Sequence, residues 1–141
     1  MNVSRQAAAG IIAAGAAIGV GFVAAPGSAQ AAPVMPFQVN PAPLGNPNGS
    51  FDAPPVHCGV ERTGPGEVTV TGTDRDNWGC FQNTGMRWIN LSTGRTGAGK
   101  TSHGLNGHPP EAVLHTGRGR VALIFDARAP VTPGFATFDV R

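Results

Sequence analysis

Two cysteines, four histidines and one acidic run are the residues of this chain whose types and spacing allow chemistry. Cys58 and Cys80 are its two cysteines. A thiol serves as nucleophile, metal ligand or half of a disulfide, and count and spacing separate these uses. Two cysteines 22 positions apart lack the paired C-x-x-C spacing of a zinc site. An even number in an oxidising compartment reads most economically as one disulfide. Closing a loop of about 23 residues in this way is worth roughly 3 kcal/mol in the chain-entropy picture. His57 beside Cys58 has the form of a thiol–imidazole pair, but an oxidised Cys58 has no thiol to offer. His103, His108 and His115 fall within 13 residues, and imidazole ligates zinc or copper through either ring nitrogen. Their spacing matches no helical or finger arrangement, so no metal site is expected. Asp74-Arg75-Asp76-Asn77 could open a calcium loop, and Gly79 stands at the required sixth position. Gly85 occupies the twelfth, where the EF-hand pattern needs Glu, so an Asp/Asn turn is expected instead. Ser92 and Ser102 have no G-x-S-x-G elbow around them. No catalytic residue is named on these grounds. Were the chain an enzyme, the histidines with Asp74 or Asp76 would be its first suspects. Trp78 and Trp88 could present an aromatic surface to a sugar or a proline-rich partner, but core packing is the expected use.

A second pattern is more specific. Gly94-Arg95-Thr96-Gly97-Ala98-Gly99-Lys100-Thr101 satisfies G-x-x-x-x-G-K-[ST] at every fixed position, which would make Gly94, Gly99, Lys100 and Thr101 nucleotide-binding residues. Downstream, Leu123-Ile124-Phe125-Asp126 resembles the apolar strand whose terminal Asp holds magnesium in nucleotide hydrolases. The pair resembles the P-loop NTPase family over about a dozen residues, and the resemblance implies a triphosphate at Lys100 with Asp126 near Thr101. The following segment departs from that family. The loop works because a helix begins right after Lys, so that backbone donors and the helix dipole converge on phosphate. Thr101 to Pro110 holds Gly104, Gly107 and the pair Pro109-Pro110, which do not make that helix. Crossover helices for a parallel sheet are equally missing. The expectation is therefore a Gly-rich hairpin or loop with Lys100 facing water, and no cofactor.

The elements that position these residues follow from composition and patterning. Charged residues make up 13% of the chain, against a usual share of roughly 25%, so the surface must be neutral and polar. With 21 Gly and 13 Pro a helix bundle is excluded, and a formal charge of +2 is no nucleic-acid footprint. Arg5 precedes an uncharged Ala/Gly/Ile/Val run from Gln6 to Ala25, and Pro26-Gly27 breaks it. Ser28-Ala29-Gln30-Ala31 then offers small residues at both positions a signal peptidase reads. Residues 1–31 are expected to be a signal peptide cut between Ala31 and Ala32, with no membrane span left afterwards. A retained helix is the rival, since such a run approaches the roughly 20 residues that cross a bilayer, but its Ala/Gly composition and small-residue cut site favour the leader.

Residues 32–56 carry Pro33, Pro36, Pro41, Pro43, Pro47, Pro54 and Pro55 and a single charge, Asp52. This is the pattern of a linker or arm. Its Val34, Met35, Phe37, Val39, Leu44 and Phe51 are too many for pure spacer and imply that it lies against the domain or a partner. In residues 57–141, strands are expected at Glu67–Thr71, Arg87–Ser92, Ala112–His115, Arg120–Asp126 and Phe135–Val140, from period-two alternation and β-branched content. Thr116-Gly117-Arg118-Gly119 reads as a hairpin connection. T-G-x-G recurs from Thr63, Thr96 and Thr116 at intervals too irregular for a structural repeat, and reads as one turn chemistry used three times. The fold class is all-β, a small antiparallel sandwich or barrel of about five to seven short strands. Ala/Gly/Arg-rich, Lys-poor usage with such a leader looks similar in style to small secreted actinobacterial proteins. The functional expectation is a secreted or envelope-associated, non-enzymatic binding module with an extracellular or cell-envelope partner. Its alternatives are a small extracellular enzyme with a His/Asp site and, remotely, a nucleotide binder through Gly94–Thr101.

Overall fold

The computed structural model describes residues 32–50, 53–126 and 131–141. The expected leader, with its cut after Ala31, lies outside the described residues, as do Phe51 and Asp52. The chain forms strands β1 (Met35–Pro36), β2 (Ala42–Pro43), β3 (Cys58–Gly64), β4 (Glu67–Gly72), β5 (Gly85–Asn90), β6 (Thr96–Lys100), β7 (Ala112–Leu114), β8 (Gly119–Phe125), β9 (Val131–Thr132) and β10 (Phe135–Val140). The one helical piece among the described residues is a single turn at Arg75–Asn77. Two antiparallel four-stranded sheets result, ordered β1-β3-β4-β7 and β10-β8-β5-β6, with a small β2-β9 pair beside them. The protein is all-β.

Alternation dictates which face is buried. Met86, Trp88 and Asn90 of β5, Val121, Leu123 and Phe125 of β8, and Ala136, Phe138 and Val140 of β10 point inward, while Arg87, Ile89, Ile124 and Phe135 point out. Their inward residues merge with Val60, Val68, Val70, Ala112 and Leu114 of the first sheet into one core cluster. Two sheets over a single core are compatible with the sandwich expected from the sequence.

The Pro-rich stretch lies on the domain. Met35 pairs with Val60, and Phe37 donates its N–H to the Cys58 carbonyl at 2.9 Å and stacks its ring 5.6 Å from that of Phe125. Val39 exchanges both backbone bonds with Phe135, at 3.1 and 2.8 Å, and Ala42 pairs with Thr132. The chain thus passes from the β3 edge of one sheet to the β10 edge of the other and pairs with part of each. Prolines lack a donor, and at a sheet margin that loss is tolerated. On the opposite side β6 and β7 pair with no further strand among the described residues, and the chain joins their ends through Ser102 N–H to the Glu111 carbonyl at 2.9 Å.

One expectation is corrected. The Thr116–Gly119 segment does not close a hairpin, because β7 pairs with β4 in the first sheet while β8 lies between β10 and β5 in the second. The glycines reverse the chain, with φ of 74° at Gly117 and 126° at Gly119, and the reversal crosses between sheets. The buried Asn90 decides this: its Nδ2 donates to the carbonyls of Thr116 at 3.0 Å and Arg118 at 2.9 Å, so the corner is moulded around a side chain of the other sheet. Turn chemistry in a sequence marks a reversal but not the neighbour that the next strand will choose.

Candidate functional site

The expected cysteine pair is a disulfide, Cys58–Cys80, with both residues buried. It ties the start of β3 to the loop 73–80. That loop is sewn down by His57 N–H to the Gly79 carbonyl at 2.8 Å, Thr73 N–H to the His57 carbonyl at 3.0 Å, and Asp74 N–H to the Trp78 carbonyl at 2.9 Å. Asp76 and Asn77 adopt φ of 56° and 64°, the conformation Asp and Asn tolerate best after glycine. The acidic run is thus a turn. It nonetheless brings one pair of suspects together, because Asp74 Oδ1 lies 2.8 Å from His57 Nδ1. Asp76 faces Arg75 at 3.5 Å, and His115 lies at the far end of the sheets, 3.2 Å from Glu67. His103 and His108 are exposed in the loop after β6. Among the described residues no three His, Cys, Asp or Glu side chains are grouped to hold a metal.

The segment with the phosphate-loop pattern is a hairpin arm. Gly94, at φ 76°, lies in the β5–β6 turn, and Thr96–Lys100 is extended and paired residue by residue with β5. Thr101 is buried, its hydroxyl accepting the Thr84 N–H at 2.9 Å, while Lys100 is exposed and Asp126 is held by Arg87 at 2.7 Å. No helix follows Lys100 in residues 101–111. The glycines have a packing cause: a Cβ on Gly97 would run into the Trp88 indole, and one on Gly99 into Leu114 Cδ2. Period-two alternation was present in Thr-Gly-Ala-Gly-Lys all along, hidden because glycine disfavours strands.

The sheet margin at β6 adjoins a groove. Register places Phe135, Ile124, Arg87 and Ala98 in one row across the outer face of the second sheet, and Thr137, Ala122, Ile89 and Thr96 in the next. Ile89, Ile124 and Phe135 are about two-fifths exposed, unusual for large apolar side chains gathered on one face. They line an open groove of about 770 Å3 together with Arg87, Ala98 and Ala122. Alternation within each strand turns these residues outward one by one, and only strand order makes them neighbours.

The backbone of β6 completes this surface. Asn90 N–H donates to the Arg95 carbonyl at 2.7 Å and Thr101 N–H to the Thr84 carbonyl at 3.0 Å, which fixes residues 95, 97, 99 and 101 as those bonded to β5. The N–H and C=O groups of Thr96, Ala98 and Lys100 therefore point away from the sheet, along an unpaired edge. Exposed cations stand at its two ends, Arg95 and Lys100.

Ion pairs bound the groove on either side. Beyond Arg87–Asp126, Arg120 grips Asp139 with two bonds, Nε to Oδ1 at 2.9 Å and a terminal N–H to Oδ2 at 2.7 Å. The hydrogen bond from Arg120 holds the Asp139 carboxyl below the ordinary aspartate range, with the nearby positive charges of Arg120 and Arg62 acting the same way. A carboxyl depressed in the folded state stabilises the fold above its unfolded pKa and loses that contribution as pH falls through the folded value. Asp139→Asn is therefore expected to melt below the parent protein at pH 6, with the gap closing as pH drops below 3.8, the ordinary aspartate value. Thermal melts across that range check it; a gap that does not change with pH would assign the effect to packing.

The chain matches no protein-family model, and no similarity to a curated protein or a solved structure was detected. Geometry alone carries the functional reading.

Proposed function

We propose that the protein is an exported, non-enzymatic binding module, a small β-sandwich that takes an extended polypeptide segment of an extracellular or envelope partner as an added strand along β6. The observation that carries this is the continuity of the unpaired β6 edge with the apolar groove on the same sheet. An added strand would satisfy the free backbone groups of Thr96, Ala98 and Lys100, and alternate side chains of the newcomer would fall onto the face lined by Ile89, Ala98 and Ile124. Arg95 and Lys100 at the ends of the edge favour a segment flanked by acidic residues. The same two cations disfavour a second copy of β6, whose ends bear like charges. Export is supported by the leader read in residues 1–31 and by the Cys58–Cys80 bond. Among the described residues no helix is long and apolar enough to cross a membrane, which fits that reading.

The test uses short synthetic peptides with alternating valine and threonine between terminal aspartates, followed by amide hydrogen exchange. Bound peptide is expected to protect the amides of Thr96, Ala98 and Lys100. Ala98→Pro removes one outward donor without touching the β5 pairing and is expected to weaken binding roughly tenfold or more while the fold survives. Peptides that leave those amides unprotected, or that bind Ala98→Pro equally well, would sink the reading.

A hydrolytic enzyme is the second reading, and the His57–Asp74 contact favours it. Asp74 engages Nδ1 and leaves Nε2 on the other side of the ring, the geometry of a His–Asp dyad. Yet His57 lines neither the groove nor the cavity described below, and no hydroxyl is bonded to it among the described residues.

A further inference from the structure

The end of the two sheets remote from the disulfide gathers arginine. Arg62 lies near the end of β3, Arg95 in the β5–β6 turn, Arg118 and Arg120 at the corner into β8, and Arg141 just after β10. These are five of the ten Lys and Arg residues of the chain. Two carboxylates stand among them, and both are engaged. Asp139 gives both oxygens to Arg120, while Glu67 accepts from the Thr63 hydroxyl at 3.0 Å and lies 3.2 Å from His115. Among the described residues no carboxylate comes within 4.0 Å of Arg62, Arg95, Arg118 or Arg141.

Three of these arginines line one cavity. It measures about 380 Å3 and is lined by Arg62, Thr63, Gly64, Pro65, Arg118 and Arg141. Its frame consists of the two T-G-x-G segments that do form turns, Thr63–Gly66 and Thr116–Gly119, packed backbone on backbone; the third, Thr96–Gly99, is extended in β6, which corrects the expectation of one turn chemistry used three times. Gly117 N–H donates to the Gly66 carbonyl at 2.9 Å, and Gly66 N–H to the Arg141 carbonyl at 3.1 Å. A Cβ on Gly66 would stand 3.2 Å from Gly117 Cα, so only glycine allows so close an approach. This accounts for glycine at these two turns, and it brings the backbone segments that carry Arg118 and Arg141 together beside Thr63–Gly66. Arg62 is further held by Nε donating to the Asp139 carbonyl at 3.0 Å and by a contact of a terminal nitrogen with Met35 Sδ at 3.6 Å.

Like charges gathered with no side-chain carboxylate in direct contact, Asp139 acting on Arg62 only from beyond 4.0 Å, repel one another, and an anion that bridges them relieves the repulsion while accepting several charge-assisted bonds. A carboxylate offers two oxygens in one plane. Three arginines approaching from different turns match a tetrahedral group with three or more. We propose that this cavity is a binding site for a phosphate or sulfate group, free or as an ester on an extracellular glycan, gripped by Arg62, Arg118 and Arg141. The site lies at the end of the sheets and is independent of strand addition at β6.

The experiment is an NMR titration of the full purified chain with inorganic phosphate, inorganic sulfate, glucose 6-phosphate and acetate, each at constant ionic strength made up with sodium chloride. Saturable shifts are expected at the amides of Gly64, Gly66 and Gly117 with the tetrahedral anions, and much weaker ones with acetate. In the double variant Arg118→Gln/Arg141→Gln the affinity is expected to fall roughly tenfold or more, while Arg75→Gln, at the opposite end, binds as the parent does. Tighter binding of the sugar ester than of inorganic phosphate assigns the site to esterified glycans, and equal binding assigns it to the free anion. Shifts no larger than those chloride produces, or shifts that persist in the double variant, would overturn the proposal.

Discussion

The variant Cys58→Ala/Cys80→Ala is expected to lose roughly 3 kcal/mol of unfolding free energy while keeping its native spectrum. The bond closes a sequence separation of 22, and in the chain-entropy view its contribution lies in the states it denies to the unfolded chain. In the folded chain the loop it ties down has other holds: backbone bonds from His57, Thr73 and Asp74, and the 2.8 Å contact between His57 and Asp74. These persist in the variant, so the native loop stays placed. With urea slopes of about 1–3 kcal/mol/M for small domains, the midpoint is expected to fall by about 1 M or more. Chemical denaturation of parent, reduced parent and variant checks this. Cys58 is fully buried and Cys80 nearly so, which means that reductant must wait for the chain to open. An unchanged midpoint would show that the backbone stitching alone holds the loop and that the bond contributes nothing.

How much of this was readable beforehand depended on whether the signal was local. Glu67–Thr71, Arg120–Asp126 and Phe135–Val140 alternate clearly, and strands form there at Glu67–Gly72, Gly119–Phe125 and Phe135–Val140. The strand Cys58–Gly64 was not anticipated, because Glu61-Arg62 interrupts its apolar start and Gly59 lowers its propensity. Thr96–Lys100 was obscured by glycines whose reason, Trp88 and Leu114 lying over them, is a tertiary fact. The docking of Met35–Pro43 left only a trace in sequence, apolar residues too frequent for a spacer. The two surfaces proposed for binding were the least legible. Ile89, Ala98, Ile124 and Phe135 come from four strands, and Arg62, Arg118 and Arg141 from three separate parts of the chain, so no window of sequence contains either set. What a window did contain, Gly94–Thr101, owed Gly94 to a turn at positive φ and Gly97 and Gly99 to packing.

Asn90→Ala is expected to cost about 2–4 kcal/mol, more than its modest size suggests. Asn90 is fully buried, and all of its polar capacity is spent on two turns of the chain. Its Nδ2 donates to the carbonyls of Thr116 and Arg118, while its Oδ1 accepts the N–H groups of Ser92 at 3.0 Å and Thr93 at 3.1 Å. Alanine would strand the inner carbonyls and loosen the β5–β6 turn and the β7–β8 corner together. Asn90→Asp keeps the acceptor and the shape but faces those carbonyls with a carboxylate. Desolvation and the opposing oxygens would raise its folded pKa, so its penalty should grow as pH climbs through the ordinary carboxylate range and shrink in acid, where a protonated oxygen can donate. Denaturation midpoints of both variants at pH 4 and pH 7 separate the two effects. Because Arg118, which lines the arginine cavity, stands on the corner that Asn90 holds, Asn90→Ala is also expected to weaken oxyanion binding there without touching the anion. If the variant retains both its stability and its anion affinity, the corner is held by its glycines alone.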